Sequence, residues 1–350
     1  MPQRPVRALI EKRRGGALFQ EIWSEPIDPR ARGIDRSAPA IATRVDAILE
    51  SGEPHAKVDL AILGDGYREN EYPKFIADAK RAAGHLFSVE PFRTRMRDFN
   101  VYAIFAASAE GGVTDPYLEL RKDTVLRCAY LAGEAERTLV VKDNHALREI
   151  ASAVPYDFLL VLANARRYGG SAVFGGPAVV AIDSGAARYL VLHEFAHVIG
   201  GLAEEYYVPS AQGPTYSGNV EPWNPNVTIS AGNAKWRDLL SEPGPRPAPW
   251  NKAEYERYFS DYVRRYFRLR AARVDETVIE RFMQAESRRQ AALLARNADT
   301  RRVGLFEGAH GYAKGAYRSE VNCIMFSLQT EYFCKACSMA IERMIDARCA

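Results

Sequence analysis

The sequence predicts an α/β fold: a mostly parallel, twisted sheet with an antiparallel edge strand, followed by a mainly helical C-terminal part. Three observations lead there. Short unbroken apolar runs, VDLAIL at 58–63 and DFLLVLAN at 157–164, have the length and character of strands buried on both faces. Segments with apolar residues at helical spacing lie between such runs, so strands and helices alternate. Past residue 207 the texture changes to a stretch with eight prolines, 208–250, and then to two long Arg-rich helical segments. The shifts divide the chain into an N-terminal extension (1–56), an α/β region (57–207) and a loop-rich, helical region (208–350).

Each element has its own signal. Residues 1–56 are rich in Arg, Pro and Gly, with a strand pair expected near 17–22. The strand at 58–63 ends in Gly64-Asp65-Gly66-Tyr67. Asn70-Glu71 opens an amphipathic helix to about Phe87, with Phe75, Ile76, Ala79, Ala82, Ala83 and Leu86 on one side. Residues 100–107 (NVYAIFAA) read as a strand, 144–153 as a helix and 157–164 as a third strand. A turn at 167–171 leads to a Gly- and Pro-interrupted strand, 172–182, which Pro177 assigns to an edge. Asp183-Ser184 offers an N-cap to the helix that follows. In the last third, Trp223, Trp236 and Trp250 are expected to pin the Pro-rich loops. Helices follow at 252–268 and 275–297, their arginines read as solvated faces, and a final helix runs over 326–347.

The composition narrows the function classes. Hydrophobic residues make up 47% and charged residues 26%, as in an ordinary globular protein. The net charge of +3 gives no argument for nucleic acid or an anionic membrane surface. No apolar run approaches the roughly 20 residues of a membrane span. Residues 1–14 are basic without an apolar core, so no signal peptide is visible. Four of the five cysteines, Cys323, Cys334, Cys337 and Cys349, crowd the last 28 residues; the fifth is Cys128. Cys334-Lys335-Ala336-Cys337 is a C-x-x-C pair, open to reading as half a zinc site, a redox pair or a structural element. No second C-x-x-C completes a zinc ribbon. The flanks read as helix rather than a thioredoxin pattern. The plain expectation is local disulfides or buried thiols, with at least one thiol free.

The chemistry concentrates in His193-Glu194-Phe195-Ala196-His197, an H-E-x-x-H inside an apolar stretch. Residues four apart share a helix face, so both imidazoles reach one ion. Glu194 lies about 100° round the helix from His193, near a metal-activated water without being a ligand. Two histidines and a carboxylate on a buried helix need a partner to satisfy them. A catalytic zinc usually takes three protein ligands. On a straight helix Glu204 would lie about 10 Å beyond His197. Gly200-Gly201 removes that obstacle, because a glycine at φ > 0 ends the helix and turns the chain back. Glu204 is then the third ligand, with Glu205 as its rival. The one not used is left to hold an imidazole or pair with an Arg.

These residues, with Gly200-Gly201-Leu202-Ala203-Glu204-Glu205-Tyr206 after them, resemble the bacterial IgA metallopeptidase family, a metzincin-like group of zinc endopeptidases. The resemblance extends from about residue 57 over most of the chain, through Gly64-Asp65-Gly66-Tyr67, Glu90-Pro91-Phe92, Asn100-Val101-Tyr102, Tyr168-Gly169-Gly170-Ser171, Gly304-Leu305-Phe306-Glu307-Gly308-Ala309, Tyr317-Arg318 and Asn322-Cys323-Ile324-Met325. Two positions depart from the family pattern: Ala196 stands for Gly and Glu204 for Asp, which keeps the choice between Glu204 and Glu205 open. The resemblance implies a metzincin-like zincin fold, with 57–207 as upper catalytic subdomain and Met325 in a Met-turn beneath the histidines. It also implies zinc as cofactor, a peptide or protein substrate, and a secreted or periplasmic setting.

Glu194 would act as general base toward a water whose pKa zinc lowers. For the oxyanion, Ser327 stands where some metzincins carry a Tyr. Tyr206, Tyr312 and Tyr317 are substitutes, and His310 is expected simply exposed. An extended substrate could add to the edge strand, with the glycines of 169–170 and 175–176 allowing close approach. Two other readings compete. In one, a catalytically quiet zinc-containing domain binds protein or glycan, but it would not need Glu194. In the other, the C-x-x-C serves a thiol oxidoreductase, which its helical context disfavours.

Overall fold

The computed structural model describes residues 4–13, 19–34, 40–132, 136–207, 209, 215–216, 218, 220–240, 247–297 and 299–349. The chain opens with strands β1 (Val6–Arg13) and β2 (Phe19–Ile27), paired antiparallel with each other. The pair expected near 17–22 is thus longer and displaced; Ala17 and Leu18 lie outside the described residues. Strand β3 (Arg44–Leu49) follows, then β4 (Val58–Asp65), helix α1 (Tyr72–Leu86), β5 (Phe99–Phe105), the short β6 (Ala129–Tyr130) and β7 (Leu139–Val140), α2 (Asn144–Ala151) and β8 (Phe158–Ala163). Next come β9 (Gly170–Ala172), β10 (Pro177–Ala181) and α3 (Ala187–Gly200), which carries the H-E-x-x-H.

The main sheet has six strands in the order β3-β5-β4-β8-β10-β9. The four inner strands are parallel and both edges antiparallel. Helices cover its faces, so every residue of β4 and β8 is buried, as their unbroken apolar runs require. Two corrections apply to its edges. The segment 172–182 is not one edge strand but part of a hairpin: β10 lies inside the sheet and β9 is the edge. Pro177 is tolerated in β10 because it is the strand's first residue. At the other edge β3 comes from the N-terminal stretch, and its half-exposed residues carry no buried-strand signal. Gly64-Asp65-Gly66-Tyr67 closes β4 for structural reasons. A Cβ at Gly66 (φ 76°) would lie 2.1 Å from Gly112 O, and Asp65 accepts from the backbone N–H of Leu126 and Cys128 at 2.8 and 2.9 Å. Tyr67 donates to Asp78 at 2.8 Å.

The C-terminal part contains β11 (Val227–Thr228), α4 (Lys252–Ala271), α5 (Glu276–Leu294), β12 (Phe306–Ala309), β13 (Tyr312–Arg318) and α6 (Lys335–Cys349). β11, β13 and β12 form a small antiparallel sheet. The final helix starts at Lys335, not near 326, because 323–334 folds back on itself: Ile324 N–H donates to Tyr332 O at 3.0 Å and the Ser327 and Thr330 hydroxyls meet at 2.6 Å. The Arg-rich helices are not wholly solvated. Arg264, Arg281 and Arg288 are exposed, whereas Arg270 is buried against Glu276 (2.5 Å) and the Tyr266 hydroxyl (2.9 Å). Trp236 and Trp250 tie their loops to β12 and the residues just before it, donating to Gly304 O and Glu307 O at 2.8 and 3.2 Å. Trp223 is more open and packs against Phe174 with the rings tilted and their centroids 5.0 Å apart. No helix among the described residues is long and apolar enough to cross a membrane.

Candidate active site

Helix α3 is buried along nearly its whole length and packs against β10, α1 and α6. A helix apolar on nearly all sides belongs in a core, so His193, Glu194 and His197, polar and beyond its first turn, stand out. Its start differs from expectation. Asp183 is engaged by Lys74 (2.8 Å) and Arg81 (3.0 Å) and does not cap, and the helix begins at Ala187. Its end is set by Gly201, whose φ of 59° is left-handed. A Cβ there would also meet the Trp223 ring at 2.7 Å.

The turn brings Glu204 back to the histidines. His193 Nε2 lies 3.1 Å from Glu204 Oε2, His197 Nε2 lies 3.3 Å from Oε1, and the two Nε2 atoms are 3.2 Å apart. The opposite ring nitrogens are engaged: His193 Nδ1 with Ile324 O (3.2 Å) and the Tyr189 hydroxyl (3.0 Å), His197 Nδ1 with Leu202 O (2.7 Å). An Nδ1–H donated to a carbonyl leaves the Nε2 lone pair free, so both lone pairs aim at one point beside the carboxylate. Such a donor set could hold a divalent metal.

Glu205 goes elsewhere. It is fully buried, its N–H donates to Met325 O at 2.9 Å, and its side chain meets Cys334 and Cys337. Met325 is fully buried in the main core. The backbone on either side of it touches both arms of the site, Ile324 O at His193 and Met325 O at Glu205. The β12–β13 turn fastens the same arm from outside, since His310 N–H donates to Glu204 O (2.9 Å) and Gly311 N–H to Tyr206 O (3.1 Å).

A cleft of about 530 Å³ opens on these groups. Its walls come from β9, α3, the 203–206 turn, α4 and α5, with Tyr168, Tyr189, Phe259 and Tyr262 supplying aromatic surface. Glu194 faces the cleft and makes no hydrogen bond among the described residues. Gly170 gives it room: a Cβ there would lie 2.8 Å from Glu194 Oε1. The glycines at 169 and 170 therefore serve the protein's own packing, Gly169 lying under the Tyr130 ring. The outer edge of β9 is also not open. Gly170 N–H donates to Arg137 O (3.1 Å) and the Ser171 hydroxyl to Leu139 O (2.6 Å). Gly175, at φ 78°, and Gly176 form the hairpin turn.

Burial and the neighbouring charges shift the titrations. Among these side chains alone, burial pulls the His193 imidazole down, but the Glu204 and Glu194 carboxylates lift it to about 9. Burial pushes Glu204 up, yet the two imidazoles hold it well below the usual carboxylate range. Burial dominates at Glu194 and raises it to about 7 against the pull of His193 and His197. Of the three tyrosines, Tyr206 lines the cleft, and burial together with nearby Glu204 raises its pKa. Tyr312 and Tyr317 do not line it. His310, expected exposed, is half-buried on the cleft wall. Arg137 escaped the sequence reading. It lines the cleft and lies over the Tyr168 and Tyr266 rings, 6.0 and 5.5 Å from their centroids. A lone Arg in a loop carries no local signal of such a place.

A search of curated proteins returns no match. The family model for IgA Peptidase M64 matches residues 47–345, from within β3 to within α6. With a match over the sheet, the H-E-x-x-H helix and the helical C-terminal part, the chain belongs to the IgA Peptidase M64 family and is a metallopeptidase.

Proposed function

We propose that this chain is a zinc-dependent endopeptidase in which His193, His197 and Glu204 hold the ion and Glu194 is the general base. One observation carries the reading: two Nε2 atoms and a carboxylate converge at 3.1–3.3 Å, each imidazole already committed through its Nδ1. A tetrahedral ion with bonds of 2.0–2.1 Å to nitrogen and oxygen wants ligand atoms about 3.3 Å apart. Two imidazoles and one carboxylate are also a donor set of catalytic zinc. Zinc held there would acidify a water molecule and polarise the scissile carbonyl.

The remaining steps belong to the chain. Glu194 takes the proton from the water and passes it to the leaving amine. Its freedom from hydrogen bonds among the described residues leaves the carboxylate available for both transfers. Tyr206, on the cleft wall beside Glu204, is the candidate to steady the oxyanion. The aromatic walls suit an extended peptide with apolar side chains. The turn and closure beneath the histidines, with buried Met325 between Ile324 O and the Glu205 contact, fit a metzincin-like Met-turn.

The test is metal removal. Chelation should abolish peptide hydrolysis, and zinc should restore it while magnesium does not. Hydrolysis unaffected by complete metal removal would overturn the proposal. A finer prediction concerns Gly170→Ala. The added methyl displaces the Glu194 carboxylate without touching a ligand, so metal content should be unchanged. A shift of about 1 Å should cost kcat on the order of 10²-fold.

A further inference from the structure

We propose a second metal site: Glu205, Cys323, Cys334 and Cys337 form a closed, four-ligand zinc site behind the active-site helix. This site stands independently of the peptidase reading. All four side chains are fully buried. One donor atom from each lies within 4.8 Å of all the others. Cys323 Sγ and Cys337 Sγ are 3.8 Å apart, and Glu205 Oε1 lies 3.3 Å from both Cys334 Sγ and Cys337 Sγ. A tetrahedral zinc with bonds of about 2.3 Å to sulfur and 2.0 Å to oxygen sets sulfurs about 3.8 Å apart and sulfur about 3.5 Å from oxygen.

The surroundings are those of thiolates. Backbone N–H groups of Cys334 and Met325 point at Cys323 Sγ (3.2 and 3.5 Å), and that of Cys337 points at Cys334 Sγ (3.4 Å). The Ser319 hydroxyl donates to Cys334 Sγ at 3.1 Å. Three thiolates and a carboxylate around a divalent ion leave negative charge, and fully buried Arg318 is close enough for its charge to act on Glu205 and Cys323. Glu205 is the second, independent pointer. Asn226 donates to Oε1 (3.2 Å), but Oε2 is buried without a hydrogen-bond partner among the described residues. A carboxylate sunk among sulfurs is costly unless a cation joins it.

The competing uses of these cysteines fit less well. A disulfide between any two would leave the third thiol and Glu205 unexplained. A redox C-x-x-C needs an accessible sulfur, and both Cys334 and Cys337 are closed off from solvent. Thiolate-rich tetrahedral sites select zinc, and four protein ligands with no open position make it structural. The ligands also say what it would brace. Glu205 follows Glu204, Cys323 precedes the Ile324 carbonyl that meets His193, and Cys334 and Cys337 anchor the start of α6 against α3.

The experiment uses the full chain, purified with reductant and reconstituted with zinc, and reads metal by native mass spectrometry and elemental analysis. Two zinc ions per chain are expected. The double variant His193→Ala, His197→Ala should keep one. A mercurial that titrates thiols should release that ion, and cobalt in its place should give thiolate-to-cobalt charge-transfer absorption. Cys337→Ser should lose this ion and keep the other. Should Cys337→Ser not fold, the double-histidine variant decides by itself. The proposal is overturned if that variant binds no metal, if its metal shows no thiolate absorption, or if denaturing mass spectrometry finds two of the three cysteines joined as a disulfide. Hydrolysis that persists in the double-histidine variant, with this ion retained, would count against the peptidase reading alone.

Discussion

Glu194→Gln should keep its full complement of metal and lose peptide hydrolysis on the order of 10²- to 10⁴-fold, the span usual for a general base. The substitution is nearly isosteric, so the packing against Gly170 is preserved and no new cavity opens. It removes no hydrogen bond among the described residues. It also removes a buried carboxylate, a charge that burial disfavours. Thermal stability should therefore hold while turnover collapses. A structural residue would behave in the opposite way. His193→Ala separates the two roles further, since it should lose metal and hydrolysis together. The measurements are zinc per chain, melting temperature and kcat for the same preparations. Hydrolysis within a few-fold of the parent in Glu194→Gln would remove this residue from the mechanism.

The parts of the fold legible in the sequence are those whose signal is local. β4, β5 and β8 announce themselves by continuous apolar runs, α1 by its periodicity, and the H-E-x-x-H by spacing alone. What escaped depends on partners far along the chain. β3 is half exposed, and only its pairing with β5 makes it a strand of the sheet. β9 is three residues long and held by β10. Arg270 reads as one more solvated arginine until Glu276 and Tyr266 are found around it. The same applies within the site. Gly200-Gly201 foretells a turn, but nothing nearby says which of two adjacent glutamates it delivers. In the structure Glu204 lies beside the imidazoles and Glu205 among cysteines 129 and 132 residues further on.

Those two neighbours give the sharpest test, because adjacent residues of one type should fail in different ways. Glu204 is half-buried on the cleft wall, and its partners are the two imidazoles. Measured on metal-free protein, Glu204→Ala should lower the melting temperature less than Glu205→Ala does. The affinity of Glu204→Ala for the metal at the histidines should fall by more than the roughly 10- to 100-fold typical of removing a residue that only supports a ligand. Glu205 is fully buried and joins the 205 backbone arm to Asn226, Cys334 and Cys337. Glu205→Ala breaks that buried network and leaves a void, so it should cost about 2 kcal/mol or more in stability. Hydrolysis should drop only as far as the displaced backbone moves Glu204 and the Ile324 carbonyl. Melting temperature against metal affinity thus divides the pair. If Glu205→Ala strips the histidine-bound metal from a chain that melts normally, while Glu204→Ala leaves that metal in place, the chain has turned the other way after Gly201 and the ligand assignment falls with it.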